Sequence, residues 1–228
     1  MEYFMDVNKK TEKNNHSNND SHSNHPTISE QLKMAKKWVK HLIPEHFEHC
    51  SQVSFLGTRL FDKLKALHHL GKKERYWLEL AGFLHDIGWV DSQIQHHKTA
   101  LKMIMENTEL FPDPKNRIMV GLISRYHRKA FPKPEHKYFK ELTVKEKDVV
   151  MKLAALIRLA DGMDWEHISN TRDLSCQIKK DYLEITCNVK EKLNSEIDRA
   201  IQKAAYFLQV FDKKIKVFQV NEKNKKED

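Results

Sequence analysis

Four residues of this 228-residue sequence combine metal-ligand chemistry with places where a packed protein could not leave them unpartnered: His49, His85, Asp86 and Asp161. His85 and Asp86 are adjacent in Leu84-His85-Asp86-Ile87-Gly88. His49 shares a helical face with Val53, Leu56 and Leu60, and Asp161 follows Ala154 and Ile157 on the most apolar stripe of the chain. A carboxylate left uncompensated among aliphatic side chains costs several kcal/mol, so such groups are paired, protonated or bound to a cation. Taken singly, His49 reads as a core histidine bonded to a carbonyl, and Asp161 as the salt-bridge partner of Arg158, one turn earlier. A shared divalent cation (Mn, Fe, Zn, Co or Mg) accounts for all four residues at once. With coordination positions left open, such an ion turns water into a nucleophile near neutral pH, and Asp86 could also hold or deprotonate that water.

Two further histidines extend the set. His97 heads an apolar stripe beside His96 and Lys98, and His127 lies in Ser124-Arg125-Tyr126-His127-Arg128-Lys129. Either could bind a second metal or donate to a phosphate oxygen, which gives His127 and Asp86 the catalytic roles and His97 a place among the ligands. Arg125, Arg128 and Lys129 read as a phosphate clamp, because guanidinium groups grip phosphate bidentately. Lys98 and Arg158 are the remaining cations within reach of such a clamp. The competing reading is a solvated basic helix end, favourable to the helix dipole.

The elements that must position these residues are helices. From about Ile28 to Trp165 the apolar residues recur at helical spacing, and the few glycines and prolines cluster at the breaks between stripes. After about Arg172 the period changes to two: Leu174–Ile178 and Tyr182–Cys187 alternate, a helix is expected from about Ser195 to Phe211, and Ile215–Val220 alternates again. The expected fold is therefore mainly α, a helical bundle over residues 28–171 with a small β-β-α-β annex over 172–221. Residues 1–27 read as a disordered polar tail, too poor in apolar side chains to offset the entropy of ordering. Residues 222–228 read as a charged tail.

The net charge of +8 attracts polyanions, whether polyphosphate, phosphorylated nucleotides or nucleic acid. Nucleic acid ranks last, since no basic strand is interleaved with aromatics. No apolar run approaches the roughly 20 residues that span a bilayer. Three cysteines without metal-pair spacing suit a reducing compartment, so a cytoplasmic protein with no membrane partner is expected.

Leu84–Gly88, Arg125–Ala130, Leu153–Asp164 and His49–Val53 followed by Leu60-Phe61-Asp62 together resemble the HD-type C-terminal region of the exopolyphosphatase/guanosine pentaphosphate phosphohydrolase family. The likeness runs from about His46 to Val220. It implies a metal-dependent phosphohydrolase with His49, His85, Asp86 and Asp161 as ligands. The chain departs from the family at Thr99, where His96-His97-Lys98 would often be followed by another histidine; this thins the expected second metal site. In that family, hydrolysis of polyphosphate or guanosine pentaphosphate is attributed to an N-terminal actin-like pair of domains, which this sequence does not contain. Two readings follow. One is a stand-alone phosphohydrolase acting on a phosphorylated small molecule or polyphosphate. The other is a non-catalytic module that binds polyphosphate or nucleotide, as a homodimer or docked on a separate actin-like phosphatase subunit.

Overall fold

The computed structural model describes residues 25–91 and 93–221; the two expected tails lie outside these residues, apart from the short stretch 25–27. The bundle comprises α1 (Ile28–Leu42), α2 (Phe47–Lys63), the single turn α3 (Lys65–His68), α4 (Lys72–Leu84), α5 (His96–Glu106), α6 (Pro114–Arg125) and α7 (Val144–Gly162). Sequence chemistry sets several of these starts. Thr27 and Thr143 each cap a helix by accepting the backbone N–H three residues on, and Glu30 and Glu146 return the bond to the cap, so both orphaned donors are satisfied. At α6 the cap is Asp113, with Pro114 next, where a missing N–H costs nothing.

α2, α4, α6 and α7 pack against one another, and α7 is their common partner. Its buried face runs almost unbroken from Val149 to Gly162, which explains why Asp161 is drawn into the interior with its neighbours. The helix ends at Gly162, earlier than the stripe to Trp165 suggests, and residues beyond it turn back over the site. Between α4 and α5 lies one short 3-10 turn, Ile87–Val90. Gly88 matters there: a Cβ at this position would lie 2.6 Å from Ala100 N and nearer still to His96 O. Only glycine lets the first turn of α5 press against this segment, and that contact sets where His96 points.

The annex follows as β1 (Thr171–Ile178), β2 (Tyr182–Val189), α8 (Asn194–Phe211) and β3 (Lys214–Asn221). β1 and β2 form an antiparallel hairpin, while β2 and β3 are parallel, so α8 is the crossover that parallel neighbours require. Leu183, Ile185, Cys187 and Val189 form the buried face of β2. α8 also packs along α7, so one helix joins sheet and bundle. The architecture is mainly helical with a small three-stranded sheet, as expected. Among the described residues no helix is long and apolar enough to cross a membrane.

A buried polar knot secures the start of α8. Glu196 Oε2 accepts from Asn170 Nδ2 at 3.1 Å, whereas its Oε1 is buried without a partner. Burial therefore pushes the Glu196 carboxyl up to about 7, with Asp164 and Glu166 adding repulsion and the Asn170 bond opposing the rise. A raised acid pKa in the folded state adds stability that is complete at low pH and is lost as pH rises from the ordinary glutamate value of about 4.3 toward 7. Glu196→Gln, which mimics the protonated acid, should melt with the wild-type protein near pH 4 and several degrees above it beyond pH 7. Parallel melting curves at both pH values would contradict this.

Candidate metal centre

Four buried imidazoles converge on one carboxylate, and the half-buried His46 approaches it with Nδ1 3.8 Å from Asp86 Oδ2. Asp86 Oδ1 lies 3.1 Å from His96 Nε2 and 3.5 Å from both His85 Nε2 and His127 Nε2, while Oδ2 lies 3.7 Å from His49 Nε2. The histidines come from separate elements: His49 from α2, His85 just after α4, His96 at the start of α5, and His127 just after α6. Asp161, near the end of α7, closes the group with Oδ1 3.5 Å from His49 Nε2. All six side chains other than His46 are buried.

The other ring nitrogen of each histidine is already committed. His49 Nδ1 donates to Asp164 Oδ2 at 2.9 Å, and His85 Nδ1 donates to Gly82 O at 2.8 Å. His96 Nδ1 donates to Gln93 O at 2.8 Å and His127 Nδ1 to Ser124 O at 2.7 Å. Carboxylates and carbonyls only accept, so Nδ1 carries a proton in each ring, and in the neutral form of each ring the Nε2 lone pair faces inward. This is the outer support that metal-bound histidines commonly have. Two Nε2 pairs face each other, His49 with His85 at 3.3 Å and His96 with His127 at 3.2 Å. Lone pairs at that separation repel unless positive charge lies between or beside them. Around an ion with ligands at ~2.1 Å, ligand atoms sit roughly 3.0–3.4 Å apart, which is the spacing found here.

Electrostatics point the same way. Burial would raise the carboxyls of Asp86 and Asp161, yet both are held well below the usual carboxylate range: His85, His96 and His127 do this for Asp86, and Lys203 and His49 for Asp161. Burial would likewise keep His49 uncharged, but its bonds to Asp161 and Asp164 push its pKa up to about 10. His85 and His127 are lowered, chiefly by burial. The cluster thus holds anionic charge that must be balanced by a proton on His49 or by a cation.

The donor set fits a divalent ion. Ligand atoms of His49, His85 and Asp161 lie within 4.8 Å of one another, as do those of His85, Asp86 and His127 and those of His49, Asp86 and His167. His167 also stacks on His49 with ring centroids 3.6 Å apart. Beside the cluster opens a cavity of about 450 Å³ lined by Asp86, His96, His127 and Asp161, by the cations Arg128, Lys129, Arg158 and Lys203, and by Trp89 and Trp165 among others.

Most of the expected site residues meet here, with three differences. His96 rather than His97 reaches Asp86. His97 is buried with Nδ1 unpartnered, and burial with the nearby Arg125 lowers its pKa to about 3. Asp161 pairs with Lys203 of α8 rather than with Arg158, whose guanidinium donates instead to Tyr126 O at 2.8 Å and Lys129 O at 3.0 Å. Arg158 still lines the cavity, whereas Lys98 is exposed and Arg125 lies against the Tyr126 ring, both off its lining. Asp164, Lys203, His167 and Trp89 were not anticipated. The Asp161-Gly162-Met163-Asp164 spacing hints at Asp164, but nothing local marks the other three. Thr99 bonds Asp91 at 3.3 Å, and His96 is the residue of this segment that reaches Asp86.

A sequence model of a protein family, Ppx/GppA phosphatase, domain III, matches residues 11–204. No curated protein matches the chain.

In chelator-treated protein, imidazole ¹⁵N NMR should show His85 and His127 neutral at pH 6, below the ordinary imidazole value of about 6.5, with the proton on Nδ1. Titration of either ring at the ordinary value, or a proton on Nε2, would contradict the geometry.

Proposed function

This chain belongs to the Ppx/GppA phosphatase domain III family, and we propose that it is an HD-type, metal-dependent phosphohydrolase acting on a phosphoanhydride or phosphoester. The observation that carries this reading is the convergence of four Nε2 atoms on Asp86, each ring fixed through Nδ1, at the edge of a cation-lined cavity. His49, His85, Asp86 and Asp161 would hold one ion. Asp86 with His96 and His127 would hold a second, since both of these rings face Asp86 Oδ1, as His85 also does, and lie beside each other. When bound, such an ion supplies an acidified water and polarises a phosphoryl oxygen. Mn, Fe, Zn, Co and Mg all accept mixed imidazole and carboxylate donors.

The chain's own residues would do the rest. Arg128 and Lys129 gather the phosphate's charge at the cavity wall, and Arg158, tied to two carbonyls, stiffens the wall between them. Trp89 and Trp165 narrow the cavity and limit water. Burial keeps the His127 imidazole neutral and its Nδ1 proton is held by Ser124 O, so His127 would serve as a ligand rather than as the proton donor to the leaving oxygen. The substrate class this serves is a nucleotide, an alarmone or polyphosphate.

The matched segment is one domain of the family, which keeps a second reading open: a non-catalytic module that binds the same phosphorylated compounds. Purified protein should retain about one divalent metal or more per chain by elemental analysis and should release phosphate from at least one member of a phosphoanhydride panel. Asp161→Asn and His96→Ala should each lower Mn retention tenfold or more, whereas His97→Ala should cost stability and spare metal. Retained metal with phosphate-compound binding but no turnover would favour the module. A folded wild-type protein that neither retains nor is stabilised by Mn or Fe would end the metal reading.

A further inference from the structure

The annex is part of the cavity, through Gln202 and Lys203 of α8. Lys203 of α8 lies on the cavity wall, its side chain only 16% exposed, and its ammonium bonds Asp161 Oδ2. The other oxygen of Asp161 faces the imidazoles, 3.5 Å from His49 Nε2. A single carboxylate therefore stands between the cavity cation and the ligand cluster, and an ion on one oxygen leaves Lys203 in place on the other. An ammonium has three N–H donors, and Asp161 engages one. Among the other cavity cations Arg158 is committed to two carbonyls, while Lys129 Nζ bonds Ile94 O at 2.9 Å and Arg128 lies against His96, so these two keep donors that can act on the same anion as Lys203.

The position of Lys203 is built in. A Cβ on Gly162 would lie 2.9 Å from Ala200 Cα and 3.0 Å from Ala200 N, so glycine next to Asp161 lets α8 approach closely enough for Lys203, one turn below, to reach the carboxylate. The Trp165 ring stacks on Arg199, with centroid and guanidinium 4.1 Å apart, and flanks Lys203 at 5.5 Å, which restricts the lysine stem to the cavity side.

We propose that Lys203 is a positioning residue for substrate, holding a non-bridging phosphoryl oxygen beside Asp161, so that the annex controls binding of the anion. The location of the reacting group rests on the metal-centred reading above; the grip of Lys203 on phosphate does not need the metal. The binding is electrostatic and hydrogen-bonded, with no covalent step.

The test uses the full chain as wild type, Lys203→Met and Lys203→Arg, titrated with Mn²⁺ alone and with inorganic phosphate, each with and without Mn²⁺, by calorimetry and thermal shift. Lys203→Met should weaken phosphate binding at least tenfold and flatten its salt dependence, while Mn²⁺ binding stays equal or tightens because a competing positive charge has gone. Lys203→Arg should restore most of the phosphate affinity. Phosphate affinity in Lys203→Met within twofold of wild type, with or without Mn²⁺, overturns the proposal and leaves Lys203 as a structural partner of Asp161. Should Lys203→Met melt too low to titrate, loss of phosphate affinity in Gly162→Ala, which retains Lys203 but displaces α8, supports the proposal, and wild-type affinity there overturns it. Absence of Mn²⁺ binding by the wild type would end the metal reading, while the metal-free phosphate titrations still decide the role of Lys203.

Discussion

Everything in this fold answers to one constraint: a carboxylate, Asp86, sits almost wholly out of water and must be balanced. In a low-dielectric interior an isolated carboxylate would simply take up a proton. Here the bundle instead brings four buried imidazoles to it from four segments, and adds Asp161 beside the inner nitrogen of His49 and Asp164 on its outer one. The added acids deepen the negative charge as well as orient the rings. A protein organised only for stability would gain by filling such a space with aliphatic side chains. The arrangement makes sense for a centre meant to hold positive charge, with His49 carrying a proton whenever nothing else does. Metal uptake would then displace protons and weaken in acid.

The same constraint reaches outward through α7. Its apolar face buries Asp161, Gly162 follows directly, and the space left by the missing side chain admits α8 and hence Lys203. Bundle and annex are therefore joined where the chemistry would take place. The small sheet has few contacts of its own with the bundle beyond β1 on α2, so α8 is the main mechanical link between them.

Much of this was legible in the chain. Helical stripes placed His49 and Asp161 on buried faces, the period change near Arg172 announced the annex, and the His85-Asp86 pair gave the centre. What the sequence could not resolve lay at element ends and across elements. His96 and His97 both fall in the first turn of α5, where one residue's rotation decides which faces inward; the packing of Gly88 on that turn decides it, and no periodicity records such a contact. Asp164 lies just past the end of α7, outside the stripe that marks Asp161. Arg158, the obvious local partner of Asp161, is instead drawn to two carbonyls, and the true partner sits more than forty residues on in another element. Pairings of that kind follow from tertiary contact alone.

The central claim is that positive charge belongs between the Nε2 atoms of His49 and His85 and the carboxylates of Asp86 and Asp161. Crystals of the full chain grown with Mn²⁺ and measured at a wavelength where manganese scatters anomalously test it directly. The account predicts an anomalous peak within ~2.3 Å of those four side chains, with Nδ1 of His49 still on Asp164. A saturating Mn²⁺ soak that leaves this position without a peak, with the four side chains unmoved, would contradict it.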